Sequence, residues 1–121
     1  MFPPLKYFRP EEFACPCCGQ VNFSVDFARK LDVLRMLFGA PLVLESAGRC
    51  VEHNKEVGGV ESSRHLFILG EKEADAVDIH EKNRRWELVR LAFSLGLSVG
   101  VYSWGVHLDN RPTPVLFWGK N

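Results

Sequence analysis

The chain has 121 residues, the length of one ordinary domain. Its 15 Lys+Arg balance its 15 Asp+Glu, which excludes the basic excess of a polyanion binder, so no nucleic-acid partner is expected. Hydrophobic residues at 46% and charged residues at 25% exclude a disordered chain and are enough for a core without covalent staples.

The chain opens Met1-Phe2-Pro3-Pro4-Leu5-Lys6, with no basic segment leading into an apolar one. It reads as a protein made and left in the cytoplasm, without a secretory signal. Residues 1–23 are rich in Pro, Cys and aromatics and are expected to wrap irregularly over the core of a single domain, 1–121. Ser24 reads as an N-cap; Phe27, Leu31, Leu34 and Phe38 follow at helical spacing, and Gly39 and Pro41 end the helix. Pro41 to Ser46 reads as a short buried strand, Val51 to Val57 as a short helix closed by Gly58-Gly59, and 60–73 as loop with an apolar bump at 66–69. Ala74 to His80 alternates as a strand with one polar face. Lys82 to Leu95 is the next helix, with Trp86 and Phe93, like Phe27 and Phe38, assigned to the core. Strands are expected near 98–103, 106–109 and 114–118, with Asn110-Arg111-Pro112 as a turn. The longest charge-free run, Leu91 to Leu108, contains three glycines, three serines and a histidine; it is no membrane span. Helices early and strands late indicate an α+β fold, helices packed on a small antiparallel sheet.

There are four histidines: His53, His65, His80 and His107. Residues two apart on a strand share a face, so Asp78 pairs with His80 and His107 with Asp109. Two strand faces and the loop carrying His65 can bring two histidines and one carboxylate to a point. That set leaves a fourth zinc position open, as catalytic zinc sites require.

Several local words carry a resemblance. They are Ser46-Ala47-Gly48-Arg49-Cys50-Val51-Glu52-His53-Asn54, the Gly58-Gly59 loop, Ser63-Arg64-His65, Ala74-x-Ala76-x-Asp78-Ile79, Gly100-Val101-Tyr102 and His107-Leu108-Asp109-Asn110-Arg111. With the lead-in Phe8 to Gly19, they resemble, in order, the zinc D-Ala-D-Ala carboxypeptidase family, including its phage and bacterial members, over residues 8 to 111. The resemblance implies the hedgehog/DD-peptidase type of α+β fold and a zinc ion (Zn2+) on His65, Asp78 and His107. It also implies that Arg49 grips a substrate carboxylate with Ser63 hydrogen-bonding beside it, and that the substrate is a peptidoglycan peptide. The arginine fork suits a planar carboxylate. A monomeric zinc peptidase is the reading, acting at the cell wall by lysis or within a phage particle. A catalytically idle wall-binding or particle module is the alternative.

Three departures from the family pattern bear on that reading. His65 and Asp78 stand 13 positions apart, about twice the family's separation, so 67–73 holds an insertion that lids the cleft or displaces the ligand. It also makes Asp75 a rival to Asp78, which is preferred because Ala74, Ala76 and Ile79 align around it. The acidic general base that relatives carry three residues before the last histidine is here Trp104; Asp109 is the best catalytic substitute, ahead of Glu73, Asp75 and His80. Gly48 stands where the family has an aromatic, which is expected to open that edge of the cleft.

The remaining features have plainer readings. Cys15-Pro16-Cys17-Cys18-Gly19 contains a zinc-knuckle spacing, but only Cys50 lies outside it. Reduced, packed cysteines are the expectation in cytoplasm, and a disulfide to Cys50 is the alternative outside the cell. His53 reads as structural, Tyr102 and Trp104 as core or cleft wall, and Glu81 to Arg85 as a solvated helix start.

Overall fold

The computed structural model describes residues 2–119. In chain order it contains a 3-10 turn (Pro10–Phe13), α1 (Val25–Phe38), β1 (Leu44–Ser46), α2 (Val51–Glu56), β2 (Ala76–His80), α3 (Arg85–Ser94), β3 (Ser98–Tyr102), β4 (Gly105–Asp109) and β5 (Leu116–Trp118). The strands form one sheet in the order β1-β2-β4-β3-β5. All pairs are antiparallel except β3–β5, which is parallel, a departure from the expected all-antiparallel sheet. Among the described residues no helix is long and apolar enough to cross a membrane.

Ser24 caps α1 by accepting a hydrogen bond from Phe27 N, and Gly39 ends it in the left-handed conformation at φ 74°. α3 starts later than the sequence pattern suggests, because the Glu81 carboxylate takes the Arg84 N–H and holds 82–84 as a turn. Arg84 is not a solvated bystander: its guanidinium lies over the Phe38 ring at 3.9 Å and donates to the Phe38 carbonyl, at the carbonyl end of α1.

Strand alternation divides the sheet. Val77 and Ile79 of β2, Val99 and Val101 of β3, and Val106 and Leu108 of β4 point to one face and are buried with Leu31, Leu34, Leu88 and Ala92 of the helices. The residues between them point to the opposite face. α3 turns Leu88, Val89 and Ala92 to the sheet, so Trp86 and Phe93, assigned above to the core, stand on its outer side at 50% and 43% exposure. Trp86 instead meets Trp118 edge-on at 5.3 Å. Phe27 and Phe38 are buried as expected.

The N-terminal segment lies across the core as a chain of rings, Phe8 on Phe13, Phe13 on Phe23 and Phe23 on Phe27, with centroids 4.6–5.7 Å apart. Asp32 of α1 accepts from the N–H groups of Lys6 and Tyr7. The β3–β4 turn depends on Gly105, at φ 154°: a Cβ there would sit 2.0 Å from the Ile79 carbonyl oxygen, so the close passage of β2 and β4 needs glycine.

Candidate metal centre

Register builds the site. β2 and β4 pair Asp78 with His107, β4 and β3 pair His107 with Gly100, and β3 and β5 pair Gly100 with Phe117. These four residues form one cross-strand row, continued on β1 by Ser46 opposite Asp78. Gly100 leaves room for the Phe117 ring, which a Cβ, 2.5 Å from its tip, would displace. Phe117 thereby settles against His107, ring centroids 6.1 Å apart.

His65 arrives from the loop. Its segment is held as an added edge by Arg49 N donating to His65 O at 2.7 Å and Phe67 N to Arg49 O at 2.9 Å. The Ser63 hydroxyl accepts the His65 N–H at 3.2 Å. The buried His65 ring turns Nδ1 to the Ala47 carbonyl at 2.8 Å and Nε2 to Asp78 Oδ1 at 3.4 Å. His107 places Nδ1 3.1 Å from the same oxygen and Nε2 2.9 Å from Asp109 Oδ2.

The Ala47 carbonyl can only accept, which fixes the proton of neutral His65 on Nδ1 and frees the Nε2 lone pair. Asp109 likewise draws the proton of neutral His107 to Nε2 and frees Nδ1. Nε2 of His65, an oxygen of Asp78 and Nδ1 of His107 all lie within 4.8 Å of one another. The 3.1 and 3.4 Å separations match the edge, roughly 3.3 Å, of a tetrahedron around an ion with bonds near 2.0–2.1 Å. The donor set, two imidazoles and a carboxylate, fits zinc.

Electrostatics follow from these contacts. Burial alone would raise the Asp78 carboxyl, but hydrogen bonds from His107 and His65 hold it well below the usual carboxylate range. Burial opposes charge on His107, yet Asp109 and Asp78 on its two nitrogens push it up to about 9 in the metal-free protein. Arg49 lies 3.9 Å from the other Asp78 oxygen and is steadied by Ser46 Oγ and Asn54 Oδ1 at 3.3 and 3.4 Å. A cleft of about 260 Å³ opens beside His107, walled by Ser63, Arg64, Tyr102, Asp109, Arg111 and Phe117. Trp104 backs this wall, stacked on Tyr102 at 4.7 Å.

The other candidate acids and bases, Glu73 apart, have partners of their own. Asp109 is fully buried; Arg111 donates to both of its oxygens, and His107 to one. Asp75 forms a two-point pair with Arg64 and stands outside the His65–Asp78–His107 group. His80 turns to Glu45 at 3.2 Å, and Glu73 is exposed beside Asn22 and Gly70. His53 lies on α2, 3.9 Å from Glu56.

Two expectations about the insertion and its surroundings are corrected. Residues 68–72 close into a tight turn through paired Ile68 and Lys72 backbone bonds, with Gly70 at φ 78°. Lys72 Nζ then donates to the Ser63 carbonyl at 2.7 Å. The insertion buttresses the His65 loop from outside, and it neither lids the cleft nor displaces the histidine. Nor does Gly48 leave an open edge: the buried Phe67 ring fills the space, 3.3 Å from where a Gly48 Cβ would be. Sequence reading missed Phe67, Phe117 and Asn54 as parts of the site. Arg111 had a local signal, since a residue two beyond Asp109 is placed to reach the same face.

Comparison with known proteins bears on this geometry. No curated protein and no solved structure matches the chain. The sequence model of the family described as Peptidase M15 matches residues 6–109, a span that takes in most of the N-terminal wrap, the Arg49–His65 segment and the strands that carry Asp78 and His107. The zinc-type donor set therefore sits within a matched region covering most of the molecule, and the chain belongs to the Peptidase M15 family.

Proposed function

We propose that the domain is a zinc-dependent peptidase that hydrolyses a peptide bond in peptidoglycan stem peptides, with His65, Asp78 and His107 as metal ligands. The observation that carries this reading is the convergence of three possible ligand atoms within 4.8 Å of one another, each side chain oriented from behind: His65 by the Ala47 carbonyl, His107 by Asp109 and Asp78 by Arg49. Zinc bound there supplies Lewis acidity toward the scissile carbonyl and activates water for attack.

The chain's own groups do the rest. Arg49 is half-buried between Ser46 and Asn54, so its fork is held in place before a substrate carboxylate arrives. The Ser63 oxygen accepts the His65 N–H, and its own proton is left to donate into the cleft. Burial, with Asp78 nearby, raises the Tyr102 phenol, which stays protonated at neutral pH as a second donor on the cleft wall. Asp109 is assigned a positioning role on His107, because Arg111 and His107 already occupy its oxygens.

A second reading, a module that binds wall peptides without turnover, is favoured by one observation. Trp104 occupies the position of the family's acid, and both Asp75 and Asp109 are tied to arginines. Purified peptidoglycan incubated with the zinc-loaded protein, followed by mass spectrometry of released fragments, decides between them. Fragments that disappear with His107→Ala support the peptidase; sedimentation with the wall without fragments supports the module.

A further inference from the structure

All four cysteines meet at one place away from the cleft. Cys15 to Gly19 is a tight loop, closed by Gly19 N donating to Cys15 O at 2.7 Å and returned by Cys15 N to Gln20 O at 2.9 Å. Gly19 takes φ 74°, which turns the loop so that Cys18 comes back beside Cys15. Cys50 caps α2, its sulfur accepting from His53 N at 3.4 Å, while its own N–H points to Cys15 Sγ at 3.3 Å. The sulfurs of Cys15, Cys18 and Cys50 all lie within 4.8 Å of one another. Cys17, exposed at the loop tip, lines the same pocket as Cys18 and Cys50.

Backbone N–H groups converge on these sulfurs. Cys15 Sγ receives one from Cys50 at 3.3 Å and Cys50 Sγ one from His53 at 3.4 Å. A thiolate, the form of sulfur that binds a metal, accepts such donors more strongly than a thiol does. Packing does not account for the group either, because Cys17 and Cys18 are exposed. A disulfide would join two sulfurs of the three and leave the third beside the bridge. A tetrahedral zinc ion with bonds near 2.3 Å accepts sulfurs roughly 3.8 Å apart, within the spacing observed.

We propose that Cys15, Cys18 and Cys50 hold a structural zinc ion, separate from the His65–Asp78–His107 group, with Cys17 closing the fourth position. Thiolates select zinc over magnesium or calcium, and an all-cysteine set leaves no position for chemistry. Its effect is mechanical. The ion clips the N-terminal wrap to Cys50, next in sequence to Arg49, whose backbone holds the His65 loop. Loss of the clip loosens that loop without touching a residue of the cleft.

The test is made on full-length protein purified with reductant and free of affinity-tag histidines. The His65→Ala/His107→Ala variant should keep about one zinc equivalent. On cobalt exchange it should show the near-ultraviolet sulfur-to-cobalt charge-transfer band that nitrogen and carboxylate ligands do not give. Cys18→Ser should lose that band, melt at lower temperature and be cleaved early within the first 20 or so residues. Cys17→Ser should keep the ion with weaker affinity; unchanged affinity would remove Cys17 from the site. If Cys18→Ser does not fold, the band and zinc content of the histidine variant decide alone. A histidine variant with neither band nor zinc overturns the proposal. Failure of the histidine site leaves the band untouched, so the two metal assignments fall separately.

Discussion

His107 and Asp109, two residues apart on one face of β4, are joined directly, Nε2 to Oδ2 at 2.9 Å. The bond fixes which imidazole nitrogen faces Asp78 and which keeps its proton when a metal displaces the other. Arg111 donates to both oxygens of the carboxylate, and burial that would otherwise raise Asp109 is outweighed, keeping it well below the usual carboxylate range. A group so held is a poor proton acceptor and a good anchor.

Asp109→Asn should therefore weaken zinc binding by about 10–100-fold, the usual effect of removing a partner behind a metal-ligating histidine. Any turnover should fall with metal occupancy and return when zinc is added in excess. Zinc titration and peptide hydrolysis on the same preparation check this. Turnover lost at full zinc occupancy would restore Asp109 as the base.

The pH dependence has two parts with definite signs. In the metal-free protein His107 titrates near 9, above its ordinary 6.5, so the folded state binds this proton more tightly than the unfolded chain. The stabilisation is fully present below about 6.5 and is lost as pH rises through about 9. Asp78 has the opposite sign, its contribution being lost only in strong acid. Zinc must displace the His107 proton, so its apparent affinity should climb as pH rises toward 9. Thermal melts of chelator-treated protein and zinc titrations across this range measure both. A metal-free melting temperature that is flat between these values would show that His107 is not charged there.

Alternation made the polar faces of 74–80 and 106–109 legible in the sequence, because strand period is a local property. Register is not local. Nothing in either segment says that Asp78 stands opposite His107 while His80 stands opposite Gly105, and this difference sends His80 to Glu45 at the sheet edge. The same limit explains Trp86 and Phe93: their spacing is helical, but the sheet decides which stripe of α3 is buried. α1 was legible to its last residue because Ser24 and Gly39 are local stop signs. The parallel β5 and the folded-back insertion depend on contacts made only once the chain is assembled.

Phe67 and Gly48 exchange volume across a gap no sequence pattern reveals. Phe67→Ala should cost about 3–5 kcal/mol in stability as a fully packed ring is lost. Gly48→Tyr alone should also destabilise, since its Cβ already meets the Phe13 carbonyl at 3.1 Å and Phe67 at 3.3 Å. Joined in one chain, the two changes should recover part of the loss, the new ring entering the vacated space. A double-mutant cycle by denaturant unfolding measures the coupling, and strict additivity would mean that the two positions do not share the space.

Arg49 separates a substrate grip from a purely structural pair. Its guanidinium is 3.9 Å from Asp78 and bonded to Ser46 and Asn54, an arrangement that suits either role. Burial lowers its pKa and Asp78 raises it in part, so the charge survives and is poorly hydrated, which strengthens its hold on an incoming anion. If Arg49 reads a carboxylate, the protein should prefer a wall peptide ending in a free acid over the same peptide ending in an amide. The preference should be about 10–100-fold, the worth of a hydrogen-bonded charge pair. Arg49→Met should erase it by weakening the acid alone, with bound zinc unchanged because all three ligands are intact. In turnover the loss should appear in KM more than in kcat. A preference that survives Arg49→Met would confine Arg49 to bracing Asp78, and zinc affinity would then fall in the same variant.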